Sequence, residues 1–437
     1  MLKAFIRAFK TPDLRKKLLF TLAIMAIFRL GSHVPTPGVS YVDIQKCQPK
    51  TGGAAGGVLG LADLFSGGAL LQLSVFALGI MPYITASIIV QLLVVVIPRF
   101  ETLKQEGQSG TAKLTQYTRY LTIGLAILQS ATLVTAARNP STLFGSSCKS
   151  IMPDTSLPTI LIMVLTMTAG TGVIMWMGEL ITDRGIGNGM SLLIFTSIAS
   201  RFPQSLAAIH SSSGRWDLLI IVILIGFLVI ALVVFVEQSQ RRVPVQYAKR
   251  MIGRKMYGGT STYIPLKVNM AGVIPVIFAS SMLALPGVLA QFNAGSAQPP
   301  GWVVFIQKYL TRGDHPIYML CYVALIVFFT FFYVSITFNP VEVADNMKKY
   351  GGFIPGIRAG RPTAEYLDYV LTRITVPGAI YLALISLIPL IALILVGADQ
   401  NFPFGGTSIL IVVSVGLDTV KQIESQLQQR HYEGFLR

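Results

Sequence analysis

The chain contains 437 residues, of which 53% are hydrophobic and 12% charged, and its formal net charge at pH 7 is +16. Soluble domains typically carry about 25% charged residues, so this composition excludes an ordinary water-soluble fold and favours helices in contact with lipid. The positive charge could indicate a nucleic-acid-binding protein. It is gathered in short blocks between long apolar runs, however, and that placement is typical of membrane proteins.

The first predicted element is a cytoplasmic amphipathic helix over residues 1–17. We expect it to lie on the membrane surface, because basic residues oppose an apolar face made by Leu2, Phe5, Ile6 and Phe9. The apolar run that follows contains Arg29 and ends near Pro35 without a small-residue cleavage site. We therefore interpret it as a membrane span and not as a cleaved signal peptide.

A membrane-spanning helix needs about 20 apolar residues. Ten candidate spans lie near residues 18–35, 73–97, 117–137, 157–180, 190–208, 217–236, 268–290, 315–338, 374–397 and 406–424. The fifth is the weakest, because Arg201 and Pro203 interrupt it. With the N-terminus inside, roughly three quarters of the Lys and Arg residues fall in cytoplasmic segments, so both termini are predicted to be cytoplasmic.

The apolar stretch between the first two spans is too long for a single span. Gly67 and Gly68 are predicted to divide it into a half-helix at about 61–66 and a full span from about 73. Half-helices at membrane depth persist only where they are buried in protein or line a cavity. The break therefore favours a pore, with a plain re-entrant loop as the alternative.

Two predicted cytoplasmic loops are long and strongly basic or rich in turn residues. They span residues 237–267 and 339–373, and they contain the sequences RRVPVQYAKR and KKYGGFIPGIRAGRP. Either the charge is simply solvated, or the loops form a docking surface for a large anionic or cytosolic partner.

Several motifs together resemble the SecY/Sec61 family, in its bacterial branch. They are LFSGGAL and FALGIMPYITASIIVQLL (64–93), DRGIGNGMSLLIF (183–195), RRVPVQYAKR (241–250), IPLKVNMAGVIPVIFASS (264–281), ITFNPVEVADNMKKYGGFIPGIR (336–358) and FGGTSILIVV (404–413). The resemblance implies an all-α protein with ten transmembrane helices. Two inverted pseudo-symmetric halves, residues 18–205 and 206–424, would surround an hourglass pore, and residues 425–437 would form a cytoplasmic tail.

The resemblance also implies the function of a protein-conducting channel in the bacterial plasma membrane. Such a channel passes unfolded polypeptides across the membrane and releases hydrophobic segments sideways into lipid. Its constriction is a ring of apolar side chains, which here are Ile80, Ile84, Met190, Ile194, Ile277 and Ile411. The spacing of the first two pairs, i and i+4, places each pair on one helical face. Met190 stands where isoleucine is commoner, and its flexible thioether should serve as a soft gasket.

Two further elements of the channel follow from the resemblance. A plug at about 61–71 would block the outer funnel, and its residues are Leu61, Asp63, Leu64, Phe65, Ser66, Gly67 and Gly68. A lateral gate would lie between spans 2 and 3 and spans 7 and 8, where the polar residues are Gln91, Gln129 and Asn269. Hydrogen bonds between ordinary packed helices are the alternative role for Gln91 and Gln129.

The resemblance assigns the basic loops to the ribosome and to the SecA motor ATPase. The docking residues would be Arg241, Arg242, Lys249, Arg250, Arg254, Lys255 and Arg358, which can pair with phosphates or acidic surfaces. Ala359 replaces the proline usual after the family's important arginine, so the turn at Arg358 is expected to be looser. Further expected partners are SecE-type and SecG-type small membrane subunits, translocating preproteins with their signal sequences, and membrane lipids.

Three cysteines are present. Cys47 and Cys148 both fall in predicted exterior loops, where disulfides persist, so we hypothesise a bridge between them. Two unrelated free thiols are the alternative. Cys321 lies in the eighth predicted span and is interpreted as a packing residue.

An ion-coupled secondary transporter is the rival function. Such proteins usually carry ionisable residues at mid-membrane, whereas Glu179 and Glu237 lie near the cytoplasmic ends of their spans. An intramembrane enzyme is a further alternative, but no nucleophile–base motif is recognisable. The four histidines are scattered, so we expect no catalytic, cofactor or metal site.

Overall fold

The computed structural model describes residues 9, 11–40, 43–44, 63, 65–138, 151–154, 156–203, 216–247, 250–252, 255–257, 261–293, 300–310, 315–396 and 406–433. The helices are α1 (Pro12–Gly31), α2 (Met81–Val96), α3 (Pro98–Gln105), α4 (Gln108–Arg138), α5 (Leu157–Arg184), α6 (Gly189–Ala199), α7 (Trp216–Gln238), α8 (Ile274–Asn293), α9 (Gly301–Tyr309), α10 (Pro316–Thr337), α11 (Pro340–Lys349), α12 (Arg361–Val396) and α13 (Gly406–Glu433). The strands are β1 (Gln240–Tyr247), β2 (Arg250–Ile252), β3 (Lys255–Tyr257), β4 (Ser261–Lys267) and β5 (Gly352–Phe353).

Each of the ten predicted spans overlaps a helix, in the order α1, α2, α4, α5, α6, α7, α8, α10, α12 and α13. Among the described residues, three helical segments are by themselves long and apolar enough to cross a membrane: Leu157–Arg184, Pro316–Lys349 and Arg361–Ile388. α2 and α3, with 16 and 8 residues, qualify only when taken together, and the chain bends by 100° between them. The number ten therefore stays a prediction.

The second span was predicted to begin near residue 73, and this is wrong. Residues 67–80 form turns, and α2 begins at Met81. Gly67, Gly68, Leu73 and Gly79 all have positive φ, which a right-handed helix excludes. Ser74 instead forms an isolated antiparallel bridge with Pro35, so this segment is fixed by contacts with the chain that follows α1.

Other predicted boundaries shift for local reasons. The fifth span was predicted to reach 208, but α6 ends at Ala199. The seventh begins at Ile274, not 268, because Gly272 has positive φ. The ninth begins as early as Arg361, not 374. Its first turns lie outside the predicted apolar run. They nevertheless bury Leu367 in an apolar cluster with residues of the 237–267 and 339–373 loops, and this burial explains why the helix extends beyond that run.

The all-α class requires a correction in the cytoplasmic loops. The 237–267 loop contributes an antiparallel pair, β1 and β4, and β5 from the 339–373 loop adds to the free edge of β1 in the order β4-β1-β5. The alternation in β1 explains the strand, because Val243 and Val245 are buried while Arg241 and Arg242 are exposed. These strands pack with α11 and the start of α12 around one apolar cluster. The two loops therefore form a single unit, which we call the cytoplasmic domain (237–267 and 339–373) after its predicted side of the membrane.

Candidate pore, plug and docking surface

The six predicted ring residues lie in one apolar cluster at the centre of the protein. Ile80, Ile194, Ile277 and Ile411 are buried members of that cluster, and the partly buried Ile84 and Met190 pack against it. They come from the start of α2, from α6, from α8 and from α13, so both predicted halves contribute. They belong to four separate segments of the sequence between positions 80 and 411, and the fold places them in one cluster.

Local structure fixes the position of each pair. Ile80 caps α2, and its carbonyl oxygen accepts a hydrogen bond from the Ile84 N–H at 3.1 Å, so the pair shares one helical face. Asn188 caps α6, where its side-chain oxygen accepts from the N–H groups of Met190 at 3.1 Å and Ser191 at 3.4 Å. Gly178 of α5 lies against the Met190 thioether. A side chain at position 178 would overlap the Met190 sulfur.

A polar cavity of about 450 Å³ adjoins the ring at the N-terminal end of α6. Its lining comes from that end and from one face of α13 and includes Asn188, Ser191, Asp418 and Thr419. Polar side chains thus line a cavity next to Met190, one of the predicted ring residues.

The predicted plug shares an apolar cluster with the ring. Phe65 is 2% exposed and belongs to the same apolar cluster as the six ring residues. Asp63 and Ser66 are buried beside it, at 1% exposure each. Leu61 and Leu64 lie outside the described residues. The segment is therefore buried in protein, which agrees with a plug and with a plain re-entrant loop alike, so the plug stays a prediction.

Two arginines that contact this segment were not predicted as site residues. Arg29, in the last turn of α1, donates from Nη1 to the carbonyl oxygen of Gly67 at 2.6 Å. Arg201, just beyond α6, forms an ion pair with the buried Asp63. One signal was available, since an arginine within an apolar span usually has a functional partner. The identity of the partners, however, depends on tertiary contacts.

The three predicted gate residues do not come together. Gln91 is exposed on α2, and Gln129 is partly exposed on α4. Asn269 is buried, and its Nδ2 donates to Glu237 Oε1 at 2.7 Å and to the Gly272 carbonyl oxygen at 3.1 Å. Glu237 ends α7, so Asn269 braces elements of its own predicted half. α2 does touch α8 across the two predicted halves, and the lateral gate itself stays a prediction.

The predicted docking residues that are described lie on the cytoplasmic domain. Arg241 and Arg242 are exposed on β1, and Arg358 is exposed after β5. Arg242 also stacks over the Tyr263 ring at 4.8 Å. Arg250 and Lys255 belong to the hairpin β2–β3, whose backbone alone is described, and Lys249 and Arg254 lie outside the described residues.

The turn at Arg358 is ordered by its neighbours, although Ala359 replaces proline. The Arg358 carbonyl oxygen accepts from Thr363 Oγ1 at 2.8 Å, which ties it to the start of α12. Gly356 and Gly360 supply the positive φ angles on either side. Cys47 and Cys148 lie outside the described residues, so the disulfide stays a hypothesis. Cys321 is a free, partly buried cysteine that packs against the central cluster.

The family model for SecY matches residues 74–420 of this chain. Protein translocase subunit SecY of Streptomyces galbus is 66% identical over 442 residues, with 100% of both chains covered. The chain belongs to the SecY family. SecY of Mycobacterium tuberculosis is 57% identical over 443 residues, again covering 100% of both chains. The resemblance found in the motifs is confirmed.

Solved structures share the SecY-family fold. A protein-conducting channel matches with a TM-score of 0.61 at 18% identity, covering 94% of this chain and 91% of that one. A SecY structure matches with a TM-score of 0.60 at 19% identity and the same coverage. The plug domain of that SecY is described as stabilising the closed state of the translocation channel and maintaining a membrane seal. Sec61 in the canine ribosome-channel complex matches with a TM-score of 0.57 at 17% identity, also with that coverage. The multi-pass helical fold is thereby confirmed.

Proposed function

We propose that this chain is the central channel of the Sec translocon in a bacterial plasma membrane. It passes unfolded polypeptides across the membrane and releases hydrophobic segments sideways between α2 and α8. The observation that carries this proposal is the central cluster, where six apolar side chains from both halves meet and Phe65 of the plug packs on them. The names of the relatives, all protein translocase subunits, support the same function.

The proposed architecture has ten spans with both termini cytoplasmic. Residues 18–205 and 206–424 form the two halves, and the plug at about 61–71 belongs to the first. The order of ten helices along the chain supports this division, as does the bias of basic residues toward one side. On this topology the cytoplasmic domain and the polar cavity beside α6 face the same compartment.

The ring works as a passive seal and not as a catalytic or ion-coupling site. Isoleucine and methionine side chains offer no hydrogen bonds, so water and ions have no favourable position between them. The same property gives a translocating chain nothing to bind tightly. A secondary transporter would need a mid-membrane coupling group open to the pathway. Asp63 is buried and ion-paired with Arg201, which favours a structural role for this carboxylate.

Energy must then come from partners, and the cytoplasmic domain is the proposed docking surface for them. Arg241, Arg242 and Arg358 are exposed on it and can pair with ribosomal RNA phosphates or with acidic surfaces of the SecA motor. One structure with this fold is a ribosome-channel complex, which supports the ribosome as a partner. SecE-type and SecG-type subunits complete the proposed assembly at its apolar flanks.

A polar substitution in the ring tests the channel function. Replacing Ile84 by Asn adds hydrogen-bonding groups that hydrate the constriction, so ion leakage through vesicles containing the variant should rise by about tenfold. Export of a precursor with a defective signal sequence should rise as well. Ile84→Leu keeps the ring apolar and is the matched control. Leakage and selectivity at control levels in Ile84→Asn would mean that the ring is wrongly assigned.

A further inference from the structure

The plug segment is held at two points by arginines from different helices. Arg29 reaches it from the end of α1 and hydrogen-bonds the Gly67 carbonyl oxygen at 2.6 Å. Arg201 reaches it from beyond the end of α6 and pairs with Asp63. The two contacts lie four residues apart in the segment. The arginines that make them are far apart in sequence, because all of α2 to α5 lies between them.

Asp63 organises the segment as well as anchoring it. One carboxylate oxygen accepts from the Leu71 N–H at 3.1 Å, while the other faces Arg201. The Asp63 carbonyl oxygen accepts from the Gly68 N–H at 3.0 Å and from the Ser66 hydroxyl at 3.0 Å. The carboxylate therefore joins the internal turn of residues 63–71 to an arginine outside it.

The glycine pair is what lets both arginines approach. A side chain at Gly67 would lie 3.2 Å from Arg29 Nη1 and 3.1 Å from the Ser197 Cα. A side chain at Gly68 would lie 2.9 Å from Arg201 Nη2. Both glycines also have positive φ, at +70° and +92°. The pair thus serves close packing of the seated segment, in addition to any freedom it gives a moving one.

The burial of Asp63 makes its ion pair with Arg201 the more important of the two contacts for holding the segment. The Asp63 side chain is 1% exposed, whereas that of Arg201 is 28% exposed. Removing one partner of a buried ion pair leaves an uncompensated buried charge and is strongly destabilising, while replacing both partners is tolerated far better. Without Arg201, the charged carboxylate of Asp63 is buried without a counter-charge, and this state is relieved when the segment leaves its seat or when the carboxylate takes up a proton.

We propose that Arg29 and Arg201 form a two-point clasp that holds the plug segment in its closed position. They are positioning residues, and their strength sets how readily the segment is displaced. This inference rests on the proposed channel function. It predicts that weakening the clasp opens the channel even when the apolar ring is intact.

Thiol labelling measures the clasp directly. Ala69 is completely buried in the segment, so Ala69→Cys is introduced into a chain whose three native cysteines are replaced by serine. The whole translocon is placed in vesicles with its co-purifying small subunits and treated with a membrane-impermeant maleimide. Arg201→Gln should raise the labelling rate by about tenfold, because Asp63 loses its counter-charge. Ion leakage should rise in parallel.

Three further variants keep the test specific. Asp63→Asn combined with Arg201→Gln replaces the ion pair by neutral groups that can still hydrogen-bond, so labelling should return to within about twofold of the parent. Arg138→Gln removes an exposed arginine at the end of α4 and should leave the rate unchanged. Arg29→Gln removes only the bond to Gly67. It gives a second measurement if Arg201→Gln is not recovered.

The outcomes separate the clasp from the channel. Parent labelling rates in Arg201→Gln or in Arg29→Gln would overturn the clasp, as would equally fast labelling in the neutral double variant. If Ile84→Asn leaks ions while the clasp variants behave like the parent, the clasp fails and the channel function stands. If Ile84→Asn and Ile411→Asn both fail to leak, the ring assignment fails, and with it the observation that carries the channel proposal, whereas the labelling rates still decide the clasp.

Discussion

At the scale of single residues, two glycines of α5 differ in what surrounds them. A Cβ at Gly170 would overlap the carbonyl oxygen of Val75, in the turn segment between the plug and α2. A Cβ at Gly172, two positions away, would meet nothing within 4 Å. The sequence shows both as ordinary helical glycines. Only the packing of the 67–80 segment on α5 distinguishes them.

Gly170→Ala should therefore destabilise the protein, because the obstacle is backbone and cannot rotate away. Overpacking of this kind typically costs about 1–3 kcal/mol. Gly172→Ala is the matched control, and it should be neutral or stabilising by up to about 1 kcal/mol through helix propensity. Thermal unfolding of the two variants in the same detergent measures the difference. Equal midpoints would show that the turn segment does not pack closely on α5.

At the scale of elements, the cytoplasmic domain joins two loops that are about a hundred residues apart. The register Gln246 to Phe353 pairs β1 with β5, and this contact brings Arg358 into the same unit as Arg241 and Arg242. The alternating pattern in RRVPVQY could have predicted β1 from the sequence. The pairing with β5 could not be predicted, because a two-residue strand has no periodicity of its own.

Charge reversal on this domain tests docking. Arg241→Glu with Arg358→Glu leaves the buried valines of β1 untouched but should lower affinity for ribosomes by about tenfold or more at low salt. The difference in ribosome affinity between this variant and the parent should narrow as ionic strength rises, because exposed charges are screened. Arg15→Glu with Arg99→Glu makes the same charge change on exposed positions outside the domain. An equal loss in that control would indicate a general charge effect and no specific surface.

At the scale of the whole molecule, the direction in which each helix crosses the membrane decides what faces the cytoplasm. With ten predicted spans and the N-terminus inside, the loops alternate between the two sides, and most basic residues fall on the inner side. A helix such as α6, with 11 residues, is too short to establish its crossing by itself. The complete topology therefore has to be measured.

Reporter fusions provide that measurement. Alkaline phosphatase, which is active only outside, should be active when fused within 139–150 or 294–299, and inactive when fused within 248–260 or after 433. A cytoplasmic reporter should give the inverse pattern, because the basic loops are retained inside. Activity of phosphatase at 248–260 would reverse the predicted orientation of the cytoplasmic domain. Fusions before and after α6 test the weakest span directly.

The sequence by itself determined the class of protein, the approximate place of every predicted span and the SecY family. These follow from local properties: apolar length, charge asymmetry and ordered motifs. The tertiary structure alone decided that α2 begins at Met81, that Asn269 pairs with Glu237 within its own half, and that Asp63 meets Arg201. Each depends on backbone angles or partners distant in the chain, and no local pattern specifies them. The half-helix predicted before Gly67 and Gly68 has helical residues at 63, 65 and 66, and Arg29 and Arg201 contact this segment.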